Sequence, residues 1–214
     1  MDEEITIIDS NTRNERIKNF FINNKKKLII IFSIILVIII GYLSFEKSKE
    51  RAKIKLANQY NLALIDLNPN NKQKTIDEMV NVVKSNDATY SPLALYHLLD
   101  NNLLENNEEI NILFNELIEK TNLDNEIKNL IIYKKALFNS DLVSENELLK
   151  ILNPVINSES IWKSHSLYLL AEFFYSKNEK QKAKEFFNQI LVLPNANSTI
   201  KTESQKRLNR DLGE

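Results

Sequence analysis

The 214-residue chain contains no cysteine. Disulfides, thiolate metal sites, cysteine nucleophiles and thiol redox chemistry are therefore excluded, and the composition is neutral about whether its compartment is oxidising. Its two glycines are Gly41 and Gly213, so neither a phosphate-cradling loop nor a dinucleotide fingerprint can be written. That removes the common nucleotide-dependent enzyme classes. The two histidines, His97 and His165, stand too far apart to form a local metal motif. No cofactor, no metal and no catalytic residue is expected. With a net charge of −1 and a pI near 6.2, the chain also lacks the basic footprint of nucleic-acid binders. Asn, Lys and Ile are abundant at polar-face positions, as an A/T-biased genome would produce, and the Asn tracts are too short to read as prion-like.

Against these absences stands one long apolar run, Leu28 to Phe45. Fourteen of its eighteen residues are Leu, Ile, Val or Phe and none is charged. At roughly −0.4 kcal/mol per apolar residue it gains on the order of −6 kcal/mol on entering a bilayer. As a helix it is about 27 Å long, close to the hydrocarbon thickness. A cleaved signal peptide has a shorter run followed by a small-x-small site, and here the run passes into Tyr42, Leu43, Ser44, Phe45 and Glu46 without one. The run reads as a single retained membrane span.

Basic residues flank it on both sides. Lys25, Lys26 and Lys27 abut the span uninterrupted, whereas Lys47, Lys49, Arg51, Lys53 and Lys55 are interleaved with Glu46 and Glu50. A folded domain translocates largely regardless of its own charge, so the lysine triplet sets the expected orientation: N-terminus in the cytosol, the rest across the membrane. The expected organisation is a cytosolic tail at 1–27, the span at 28–45, a helical stalk and first repeat helix at 46–68, and a helical repeat domain at 69–214. In the tail, Ile17, Phe20 and Phe21 share a helical face beside Arg13, Arg16 and Lys18, which fits either a lead-in helix or a segment lying on the membrane surface. After the span the helix is expected to run to about Asn68, where Pro69 and Asn70-Asn71 stop it.

From residue 72 onward the pattern is helical throughout, without strand alternation. Expected helices cover 72–85, 93–104, 109–120, 126–139, 145–156, 160–177, 179–194 and 199–212, separated by polar breaks such as Asn86 to Pro92. An internal period organises them. Ile76, Val80 and Val83 recur thirty-four residues later as Ile110, Phe114 and Leu117, and seventy-three residues beyond that as Ala183, Phe187 and Ile190. A helix pair repeating at about 34 residues is the tetratricopeptide period, in which each pair buries its apolar face on its neighbour. The fold class is all-α: one transmembrane helix followed by a right-handed array of degenerate tetratricopeptide-like helix pairs.

The pattern is clearest in Leu167, Leu170, Ala171 and Phe174, followed by Asn178, Ala183 and Phe187. Asn178 stands where that family has Gly, a replacement Asn can make because it tolerates a left-handed backbone. Pro194 follows the Phe one residue early. With Arg13-Asn14-Glu15-Arg16 before the span and Gly41-Tyr42 at its exit, the layout resembles the membrane-anchored ancillary subunit of the bacterial Sec translocon, a tetratricopeptide-like family. The resemblance implies a non-enzymatic scaffold of the inner membrane with a periplasmic domain, linked to the translocon or to periplasmic chaperones. Its partners would be translocon subunits or exported chains, with no nucleic acid and no small-molecule substrate.

By the same similarity, the first helix of each pair lines a groove, and His165, Tyr168, Glu172 and Tyr175 form the partner-binding stripe. Their spacing does share one helical face. In the competing reading, Tyr168 and Tyr175 pack on the last helix, 200–212, and His165 is merely solvated. Trp162 is expected to seal the seam between the third and fourth pairs. Glu108-Glu109 and Glu145/Glu147 fall at helix starts, where carboxylates meet the positive end of the helix dipole. His97 lies between apolar neighbours as a partly buried helical residue, and the sequon Asn197-Ser198-Thr199 is taken as chance. A structural scaffold of envelope or division machinery that self-associates through its repeats is the second reading. A cytosol-facing assembly factor is the third.

Overall fold

The computed structural model describes residues 2–66 and 71–213, with side chains from residue 13 onward. All regular structure among the described residues is helical: α1 (Asp2–Ile65), α2 (Lys72–Lys84), α3 (Tyr90–Asp100), α4 (Asn107–Lys120), α5 (Asn125–Asn139), α6 (Glu145–Ile156), α7 (Lys163–Ser176), α8 (Lys180–Val192) and α9 (Ser198–Asp211). The chain divides after Lys55 into two compact units.

The first unit is α1 up to Lys55. Its most apolar eighteen-residue window has a mean hydropathy of 3.0, and none of that window is covered by protein. α1 is therefore one helix long and apolar enough to cross a membrane. Within that stretch Ser33 Oγ donates to the Ile29 carbonyl at 2.9 Å, the local satisfaction that a dry bilayer would require of it. A Cβ built on Gly41 meets nothing within 4 Å, so no packing within the chain demands glycine there.

In the second unit the end of α1 enters the core through Ala63, with Leu56, Tyr60 and Leu64 packed beside it. Two hydrophobic clusters follow. The first runs from Ala63 to Ile131 and includes Met79, Leu95, Leu98, Phe114 and Leu117. The second runs from Ala136 to Leu212 and includes Leu152, Leu170, Phe174 and Phe187. Successive helices pack on each other, and next-but-one contacts join α2 to α4, α5 to α7 and α7 to α9. Those skipping contacts pass through even-numbered helices before α5 and odd-numbered ones after it, so the alternation slips by one helix where the two clusters meet.

Several expected boundaries move, each for a local reason. α1 ends at Ile65, short of Asn68, and the expected stop at Pro69 lies outside the described residues. Tyr90, Ser91 and Pro92, expected in a break, form the first turn of α3, where proline removes no intrahelical bond. Leu103 and Leu104 fall outside α3 because Asn102 turns left-handed (φ 49°) and the Leu103 amide returns to the Leu98 carbonyl at 2.9 Å. Ser160 to Trp162 precede α7, held in a turn by the Ser158 and Ser160 hydroxyls, which accept from the Ser160 and Trp162 amides at 3.2 and 3.1 Å.

Asparagine does the work of the missing glycine. Positive φ occurs at Asn86, Asn102 and Asn178, each just after a helix. At Asn178 (φ 62°) the Glu179 amide reaches the Phe174 carbonyl at 2.9 Å, closing α7 and launching α8 with only two residues between helix end and cap. Replacing Asn178 by Ala is expected to cost about 1 kcal/mol, whereas Asn178→Gly preserves or raises stability. Denaturant titration of the two variants checks the sign, and equal losses for Ala and Gly would refute the left-handed account.

Candidate functional site

α7 is the helix that carries the predicted stripe. It buries Ser164, Leu167, Leu170, Ala171 and Phe174 on its inner side. Ala171 and Ala183, both fully buried, let α7 and α8 approach closely, and Phe174 stacks on Phe186 with ring centroids 5.5 Å apart. His165, Tyr168, Glu172 and Tyr175 are each half-buried along the adjoining face. Each makes contacts of its own.

Glu172 and Tyr175 are engaged by α9. Arg207 Nε and Nη2 each donate to Glu172 at 2.7 Å, a bidentate pairing, and the guanidinium lies 4.3 Å over the Tyr175 ring. Arg207 also pairs with Asp211. The hydrogen bond to Glu172 is the main cause holding the Arg207 guanidinium above its ordinary pKa, while Arg210, ahead of Arg207, holds the Asp211 carboxyl below its own. α9 buries only Ser204 and Leu208 within its length, so its attachment to α7 leans on this network more than on apolar area.

Tyr168 turns its ring edge onto Phe187 at 5.5 Å. Burial first, and then the Glu172 carboxylate, push its hydroxyl pKa up to about 12. His165 sits in an aromatic cluster with Trp162 (5.2 Å) and Tyr133 of α5 (5.9 Å), and Trp162 stacks on Tyr133 at 5.9 Å. Trp162 thus bridges α5 and the start of α7. His165 Nδ1 is buried without a hydrogen-bond partner among the protein groups. Beside the cluster opens a cleft of about 380 Å³ lined by Ile161, Trp162, His165, Asn195 and Asn197. Ile161 is 64% exposed at its mouth.

The other singled-out residues lie elsewhere. His97 is half-buried on α3, its pKa lowered by burial. Glu108 and Glu109 occupy the first turn of α4 behind the Asn106 cap, and Glu147 closes a capping box with Ser144 on α6. Asn197 of the sequon caps α9, accepting from the Thr199 and Ile200 amides at 3.0 and 3.2 Å. Among the described residues no three His, Asp or Glu side chains gather as a metal ion would need.

No known protein family, curated protein or solved structure matches the chain. The geometry therefore stands alone, and it contains residues that the sequence did not single out. Arg207 and Tyr133 are the partners that decide where the stripe faces. Asn111 and Asn139 exchange two amide hydrogen bonds at 3.0 and 2.8 Å between α4 and α5, with Asn139 only 2% exposed. For Arg207 a signal existed: it stands thirty-five residues after Glu172, close to the expected period.

Removing that guanidinium is expected to loosen α9. Arg207→Ala should speed amide hydrogen exchange across residues 198–211 by about tenfold, equivalent to about 1.4 kcal/mol, a magnitude set by a charge-assisted pair that solvent partly screens. Arg207→Lys should fail to restore protection, because an ammonium cannot repeat the bidentate contact. Unchanged exchange in Arg207→Ala would show that Leu208 and Leu212 alone hold the helix.

A pH prediction follows from the two tyrosines whose hydroxyls sit near pKa 12, Tyr168 and Tyr96, both raised chiefly by burial. Unfolded tyrosine ionises near pH 10, so stability is full below that value and declines as pH rises from about 10 toward 12. Tyr96→Phe and Tyr168→Phe together should flatten the decline, measured as denaturation midpoint against pH.

Proposed function

We propose that this chain is a membrane-tethered helical-repeat scaffold that binds other proteins and performs no catalysis. One observation carries the reading: side-chain ties recur between residues about one repeat apart. Asn86 with Thr121, Glu126 with Ser160, Glu145 with Lys182, Ser164 with Asn197 and Glu172 with Arg207 are separated by 35, 34, 37, 33 and 35 residues. A spatial period so close to the sequence period supports a right-handed array of degenerate tetratricopeptide-like pairs, each completing its neighbour.

The work of such a protein is tethering. A span holding the array at one membrane raises its effective concentration for partners embedded in or emerging from that membrane, without any new contact. Lys25, Lys26 and Lys27 support an N-terminus in the cytosol of a bacterium and a domain in the periplasm. The resemblance to the Sec translocon's ancillary subunit directs the choice of partner toward translocon subunits, exported chains and periplasmic chaperones. On the stripe, Glu172 and Tyr175 are committed to α9, so the reading puts first contact at the His165 and Tyr168 end, where Ile161 and Trp162 add apolar area.

The cysteine-free chain makes the test direct. Single cysteines at Asn195 and Asn14, in separate full-length chains in intact cells, meet a membrane-impermeant maleimide; Asn195→Cys should label and Asn14→Cys should not. The reverse pattern overturns the periplasmic assignment. A photo-crosslinking residue at Ile161 should then yield adducts with translocon subunits or exported chains. Adducts solely with further copies of this chain would favour the self-associating envelope scaffold instead.

A further inference from the structure

The part of α1 that precedes the apolar run has two distinct faces, and protein packing uses neither. Residues 13–23 are all exposed. On helical spacing Ile17, Phe20 and Phe21 share one face with Arg13 and Asn24, Arg16 and Lys18 flank that face on its two sides, and Glu15 lies opposite, next to Ile22. Phe20 and Phe21 stand edge to face, 5.9 Å apart, and are 57% and 56% exposed. An apolar strip edged by cations, with the acidic residue behind it, is the layout of a helix that lies in a lipid interface.

The nearest apolar surface to this strip is the bilayer that the same helix enters at Leu28. If α1 ran straight out of the membrane, Phe21, seven residues earlier, would stand about 10 Å outside the hydrocarbon edge, past a headgroup layer about 5–8 Å deep. Both phenylalanines would then sit in water. α1 is continuous through Asn23 and Asn24 in the structure, and contact with the bilayer would require it to bend there. The Asn24 side-chain amide donates to the Phe20 carbonyl at 2.9 Å, competing with the main-chain ladder for that acceptor.

Charge selects the occupant. Residues 13–27 carry Arg13, Arg16, Lys18, Lys25, Lys26 and Lys27 against the single Glu15. A second copy anchored in the same membrane would present the same cations at the same height and be repelled, whereas anionic headgroups complement them. We infer that residues 13–22 bind an anionic lipid surface as an interfacial helix, bent from the span at Asn23–Asn24. The chain then grips its membrane twice, through the core and along one face. This rests on reading residues 28–45 as a span and is independent of which compartment holds the repeat domain.

The test uses the full-length chain with one nitroxide-labelled cysteine at a time, reconstituted into vesicles of phosphatidylcholine alone or with one part in four phosphatidylglycerol. Accessibility to oxygen, which concentrates in lipid, is compared with accessibility to a water-soluble nickel chelate. In anionic vesicles Ile17→Cys should favour oxygen and Asn19→Cys, on the opposite face, the chelate. The contrast should be lost in neutral vesicles, and in anionic ones when Arg13, Arg16 and Lys18 are all replaced by Gln. Equal chelate access at both sites in anionic vesicles overturns the inference. So does an Ile17→Cys label shielded from both reagents with spin–spin broadening, which reports a second copy. Val37→Cys separates the two levels: if it does not favour oxygen, the span itself is absent and the lipid contact falls with it, whereas an oxygen-favoured Val37 beside a water-exposed Ile17 overturns the contact alone.

Discussion

Each helix after residue 56 can hide its apolar stripe only against a neighbour, and the rest of the second unit follows from that constraint. None of these helices exceeds fifteen residues, a length that is marginal in water on its own. Their stability comes from packing on neighbouring helices. Fully buried Phe114, Phe174 and Phe187 sit within the two clusters, while Ala94, Ala136, Ala171 and Ala183 permit close approach. Polar ties between helices, such as Glu172 with Arg207, add to that packing.

The turns obey a second constraint. A chain with almost no glycine must still end helices abruptly and start new ones, and it ends three with asparagine in the left-handed region and starts others with side-chain N-caps from Asn106, Asp124, Ser144 and Asn197. Short connections follow from these devices. They hold consecutive helices close enough that α7 and α8 share one continuous aromatic seam.

Much of this was legible in the residues. The apolar run, the all-helical character and the left-handed Asn178 were readable because each rests on local chemistry or on spacing along the chain. The boundaries at Tyr90, Leu103 and Trp162 were less so, since a returning amide or a serine hydroxyl decides them and neither leaves a periodic trace. For the stripe on α7 the sequence offered two readings, an open groove or packing on the last helix, and for Tyr175 the second matches the contact with Arg207 of α9. Helical spacing says which side chains share a face; it does not say that Arg207 covers Glu172 and Tyr175, or that Tyr133 closes on Trp162 and His165. Those are facts about a neighbour's rotation, fixed by packing between helices.

The slip in alternation at α5 reaches further than topology. Ile131 belongs to one hydrophobic cluster and Ala136, little more than a turn later on the same helix, to the other. α5 therefore lends one end to each cluster, and it is the helix through which a change of packing in one reaches the other.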